Sequence, residues 1–88
     1  MNKFMVVCTF SPNTVWEEIT AMVPEEMAAV KVLEAEGVLS AVRVSVARDK
    51  VFLEVSADDA AAGAKATVQR LPMSKWWDLD PYQIAVPV

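Results

Sequence analysis

The chain has 88 residues, 55% hydrophobic and 23% charged, with eight basic side chains against twelve acidic ones and a formal net charge of −4. That length predicts a single domain over residues 1–88, with more apolar material than one small core absorbs, so a partner surface is expected. The lack of histidine excludes Ser-His and Cys-His catalysis and imidazole metal or haem sites, and the lone cysteine excludes a disulfide framework or a multi-cysteine metal cluster.

The acidic balance is opposite in sign to a nucleic-acid footprint, and no like-charge tail interrupts the chain. The opening MNKFMVVCTFSP has an apolar run too short for a signal-peptide core or a membrane span. A cytoplasmic protein is expected, with no membrane, nucleic-acid, metal or cofactor partner.

Lys3–Phe10 reads as a buried strand, continuous in apolar residues and stopped by Ser11-Pro12. Phe4, Val6, Cys8 and Phe10 share one face; Met5, Val7 and Thr9 share the other. Both faces are apolar, so helices should cover one and a second sheet or second subunit the other. Asn13–Glu36 reads as helix in two pieces. Thr14 and Glu17 have capping-box spacing, and Pro24 fits the first position of a new helix. Glu25 and Glu26 then fall in its first turn, where the helix dipole favours acids. Gly37 supplies the stop.

Val38–Ala47 and Val51–Val55 read as a hairpin about Arg48-Asp49, with Arg43 facing Glu54; a slip of register stays open because the turn lacks glycine. Val42, Val44, Leu53 and Val55 then share one face, and Arg43, Ser45, Phe52 and Glu54 the other. Ser56, Asp58 and Asp59 open a second helix running to Arg70, ended by Leu71-Pro72. Met73–Trp77 reads as irregular. Tyr82–Val86 reads as a last strand, confined by Pro81 and Pro87 to an edge or to the ends of its pairing.

The order β-α-β-β-α-β is that of the α+β ferredoxin-like fold: a four-stranded antiparallel sheet with two helices on one face. The two-sided apolar first strand predicts that the open face meets a second copy, forming a dimeric α/β barrel.

In its opening strand FMVVCTFSP, its helix PEEMAAVKVLEAEG and its closing segment LPMSKWWDLDPYQIAVPV, the chain resembles the muconolactone isomerase family. Leu71-Pro72 and Asp78 fall where the family has a Leu-Pro pair and an aspartate before its final strand. The resemblance implies a cofactor-free proton shift on a small unsaturated lactone or carboxylic acid from aromatic catabolism, in a homodimer or a larger ring of dimers. It also implies that Glu26, at the place of the family's first-helix glutamate, transfers the proton; the competing reading is an ordinary helix-start acid. The family's histidines and its hairpin tyrosine and asparagine have no counterpart here.

Other groups are candidates to bind such a ligand. Thr9, Arg43, Ser45 and Glu54 fall on the sheet face expected to line the barrel interior, where Arg43 would hold a carboxylate through two hydrogen bonds unless it pairs with Glu54 instead. Tyr82 is a candidate donor to a carbonyl, or a packing residue at a strand start. Trp16, Trp76 and Trp77 would either wall an aromatic-sized pocket, for which Trp77 is the first choice, or fill the core and interface. Cys8 reads as a small core residue. The alternative function is a non-catalytic small-molecule binder on the same barrel. A third, a cofactor-free oxygenase of electron-rich aromatics, has no residue pattern pointing to it.

Overall fold

The computed structural model describes residues 2–58 and 60–85. Its elements are β1 (Asn2–Phe10), α1 (Trp16–Ala35), β2 (Leu39–Val44), β3 (Lys50–Ala57), α2 (Ala61–Val68), a 3-10 turn (Pro72–Trp76) and β4 (Trp77–Ile84). The strands form one antiparallel sheet in the order β2-β3-β1-β4. This is the expected β-α-β-β-α-β arrangement of the ferredoxin-like α+β fold.

The period-two pattern of β1 places Phe4, Val6 and Cys8 opposite Val55, Leu53 and Val51 of β3. All six are buried and join Ile19 and Leu33 of α1, Ala64 and Val68 of α2, and Leu71 in one core. Both helices therefore cover this face of the sheet. On the other face Met5, Val7, Thr9 and Phe52 are only half-buried.

The helical region departs from the expectation of two pieces. α1 runs unbroken through Pro24, so Glu26 lies mid-helix and not in a first turn. A proline there forfeits one helical hydrogen bond and crowds the preceding turn. The reason it is tolerated is the apolar stripe: Ile19 and Met22 before it and Ala29 and Leu33 after it all pack on the same core, at spacings only a continuous helix keeps aligned. Pro24 itself is exposed. The Thr14–Glu17 capping box does not form. Val15 is the N-cap, without a side-chain cap bond, and the Thr14 hydroxyl lies 3.3 Å from that of Ser11.

The stop at Gly37 follows the sequence reading. Its φ is +78°, and Gly37 N–H and Val38 N–H donate to the Glu34 and Leu33 carbonyls at 3.0 and 3.1 Å, a Schellman closure. A Cβ at Gly37 would meet nothing within 4 Å, so the only obstacle to a side chain is the left-handed backbone. Gly37→Ala is expected to cost about 1–2 kcal/mol, seen as a lowered midpoint in urea unfolding with an unchanged slope.

The hairpin register is also corrected. Arg43 pairs with Phe52, Val42 with Leu53, Val44 with Val51 and Ala41 with Glu54, and beyond a bulge at the start of β2 Leu39 pairs with Val55. The turn is accordingly longer than Arg48-Asp49. Ser45 N–H donates to the Lys50 carbonyl at 3.0 Å, and the Ser45 hydroxyl donates to Asp49 Oδ1 at 2.9 Å while accepting from Lys50 N–H at 3.1 Å. Only Arg48 takes a positive φ, of 62°, where a tight two-residue turn of the commonest hairpin type demands two such residues. The displacement is by two positions, so the expected faces survive.

β3 extends to Ala57, so Ser56 is strand and not helix start; α2 is N-capped by Ala60 with no side-chain cap bond and ends at Val68 rather than Arg70. Asp59 lies outside the described residues. Leu71-Pro72 opens the 3-10 turn in place of irregular chain, and β4 begins at Trp77, five positions earlier than expected from Tyr82. Pro81 is tolerated because β4 is an edge strand. Val86 and Pro87 lie outside the described residues.

Candidate functional site

A cavity of about 460 Å³ lies between α1 and the β2 side of the sheet. Its wall is largely apolar, from Met27, Val30, Val42, Val44, Val51, Leu53, Met73 and Trp77, with Glu26 set into it and Glu34, Ser40 and Arg43 also on the lining.

Glu26 is 9% exposed, on the core side of α1 with Ile19 and Leu33. Met73 N–H donates to its Oε1 at 2.9 Å. That donor is free because Met73 sits in the first turn of the 3-10 segment, directly after Pro72, where N–H groups have no partner within the turn. Glu26 Oε2 has no hydrogen-bond partner among the described residues, yet it is not among the atoms sealed from solvent. Burial pushes the Glu26 carboxyl above its ordinary range, and the Met73 hydrogen bond opposes this only in part. Cys8 is fully buried, and its thiol is pushed up to about 12, first by burial and then by the negative charge of Glu26. It stays a neutral thiol at physiological pH.

A carboxyl raised in the folded state binds its proton more tightly folded than unfolded, so its contribution favours folding below the unfolded pKa and is lost as pH rises through the folded one. Unfolding free energy should therefore fall, through this group, as pH climbs from about 4.5 past the raised folded value. Glu26→Gln should flatten that descent. Denaturant titrations of both proteins across this window check the sign; parallel curves would show that Glu26 does not carry it.

Glu26, Arg43 and Trp77 line this one cavity. Arg43 sits on the exposed edge strand and its Nη1 donates to the Val42 carbonyl at 2.9 Å, blunting an open strand edge. The register does not pair it with Glu54. Glu54 instead accepts from Ser40 Oγ at 3.1 Å and has Lys3 Nζ at 3.7 Å.

Thr9, Glu54 and Tyr82 are not part of the cavity. Thr9 pairs with Lys50 and Asp78, and Tyr82 pairs with Met5, so their side chains lie on the face away from the helices. Tyr82 is 55% exposed; its hydroxyl donates to Asp80 Oδ2 at 2.7 Å, and that bond, with the aspartate's charge, holds its pKa above the usual phenol range. Sequence reasoning missed Met73, whose contribution is a backbone N–H and has no side-chain signature; the preceding proline was the available signal.

No family model matches the chain, and no curated protein matches it either. The fold and the cavity define its class: a ferredoxin-like α+β domain with one buried carboxyl in an apolar pocket between its first helix and an edge strand.

Proposed function

We propose that this protein is a cofactor-free isomerase that shifts a proton on a small unsaturated lactone or carboxylic acid, as the resemblance to the muconolactone isomerase family implies. The observation that carries this reading is the setting of Glu26: a carboxylate in an apolar cavity, held by Met73 N–H at one oxygen and, among the described residues, left without a partner at the other. A base for carbon acids gains strength as its pKa rises towards the working pH. Oε2 accepts the proton from the carbon activated by the carbonyl, leaving the C–H electron pair in a dienolate. The resulting carboxylic acid then returns a proton to the far end of the conjugated system. Arg43, at the cavity wall, supplies the positive charge for a ligand carboxylate.

A non-catalytic binder would be served by an ordinary carboxyl at this position. The upward shift of Glu26 favours the enzyme. The test is turnover in Glu26→Gln.

The protein acts as a cytoplasmic homodimer in this reading, with the open sheet face as its interface. Across that face the register sets Asp80 of β4, Val7 of β1, Phe52 of β3 and Arg43 of β2 in one row. The row is acidic at one edge, apolar in the middle and basic at the other. A two-fold axis lying between two such faces, along the strands, lays the apolar middle of each row over that of the other copy, the self-complementarity an isologous dimer needs.

A further inference from the structure

The cavity beside Glu26 has a volume of about 460 Å³. At the volume one water molecule takes in the liquid, about 30 Å³, that is room for about fifteen non-hydrogen atoms. A lactone ring with one short carboxylate arm supplies only about ten, leaving about a third of the space unfilled. Two wall residues, Met27 of α1 and Val44 of β2, are besides 55% and 57% exposed, so apolar surface stays open to water on both the helix and the strand margin. The charges on the wall are unequal: among the described residues Arg43 is its one cation, against Glu26 and Glu34. Of the Arg43 guanidinium only Nη1 is engaged, by the Val42 carbonyl. One ligand carboxylate therefore finds a partner, and a second meets only like charge.

We propose that the cavity takes a monocarboxylic acid with an apolar tail, about fifteen non-hydrogen atoms in all. Its carboxylate pairs with Arg43, and its tail packs on Val30 and Leu53 and covers Met27 and Val44. As a statement about the substrate this rests on the proton-shift reading, which it narrows to an unsaturated acid or lactone bearing an alkyl or aryl substituent. The binding itself does not depend on turnover.

The test is isothermal titration calorimetry on the full chain at neutral pH, with the even-numbered straight-chain alkanoates from butanoate to tetradecanoate. None has the unsaturation that an isomerisation requires. Affinity is expected to rise about fourfold for each added methylene and to level off near dodecanoate, whose about fourteen non-hydrogen atoms fill the cavity. Octanedioate should bind at least about tenfold more weakly than octanoate. Octan-1-ol should bind about threefold more weakly, the worth of a solvent-facing charge pair, and Arg43→Gln should remove that difference. Met27→Asn, neutral and at an exposed position, should lower dodecanoate affinity about tenfold and leave butanoate unchanged; should it not fold, Val44→Asn serves in its place. The proposal is overturned by binding of none of the acids, by affinity indifferent to chain length, by octanedioate binding as tightly as octanoate, or by tail binding that neither rim variant weakens. Chain-length-dependent binding in a protein without isomerase activity would sink the proton-shift reading and leave the tail site standing. Turnover of an untailed lactone acid, with no gain in affinity from a tail, would do the reverse.

Discussion

Glu26→Gln is expected to lower turnover by about 10²–10⁴-fold, the usual contribution of a positioned general base, while the protein remains folded. Glutamine has the same shape, and its Oε1 can still accept from Met73 N–H, so the tie between α1 and the 3-10 turn survives. What disappears is the capacity of the second oxygen to take a proton. The neighbouring Glu25 is exposed, and Glu25→Gln should turn over like the parent protein. The pH profile offers an independent reading. Since the base must be ionised, kcat/KM should rise with pH through an inflection above the ordinary carboxyl value of about 4.5, as burial dictates. Undiminished turnover in Glu26→Gln, with a circular dichroism melt like that of the parent, would remove the assignment. The same loss of rate in Glu25→Gln would point to general damage to the helix.

Phe52→Asp is expected to convert the proposed dimer into a monomer. Phe52 lies mid-row on the open sheet face, beside Val7 and Arg43, and is half-buried within one copy. A carboxylate there is tolerated by a solvated face. Enclosed between two sheets it must lose its water without an assured partner, at a cost of several kcal/mol per ion, and the two-fold axis doubles the penalty. Sedimentation equilibrium should give twice the chain mass of 9.7 kDa for the parent and the single mass for the variant. A parent protein that sediments at the single mass would refute the dimer.

The placement of elements was largely legible because it depends on short-range periodicity. The alternation in Lys3–Phe10, the glycine stop at Gly37 and the Leu71-Pro72 break are local signals, and each element falls near where they put it. The misreadings arise where a local rule met a longer-range one. Pro24 is a legitimate helix-start residue, but the stripe formed by Ile19, Met22, Ala29 and Leu33 packs on one core and holds the helix together across it. Arg48-Asp49 has the look of the turn itself, but the Ser45 hydroxyl, bonded to Asp49 and Lys50, builds a longer loop and moves the pairs of Ala41 to Val44 by two positions.

The candidate site was less legible, and for a physical reason. A carboxyl at position 26, an arginine at 43 and an indole at 77 can be named from a sequence, but a pKa depends on who surrounds a group. The donor to Glu26 comes from a residue 47 positions away, presented by backbone that only folding brings near. A shared sheet face groups Thr9, Ser45 and Glu54 with Arg43, whereas the cavity opens on the helix side of the sheet and Arg43 reaches it only from the exposed edge of β2.

The excess of apolar residues and the lack of histidine are properties of the sequence alone. By themselves they predict more apolar surface than one small core absorbs, and they leave any acid–base chemistry to side chains other than imidazole. Tertiary structure alone decided which carboxylate lost its water, since desolvation is a property of neighbours and not of the residue.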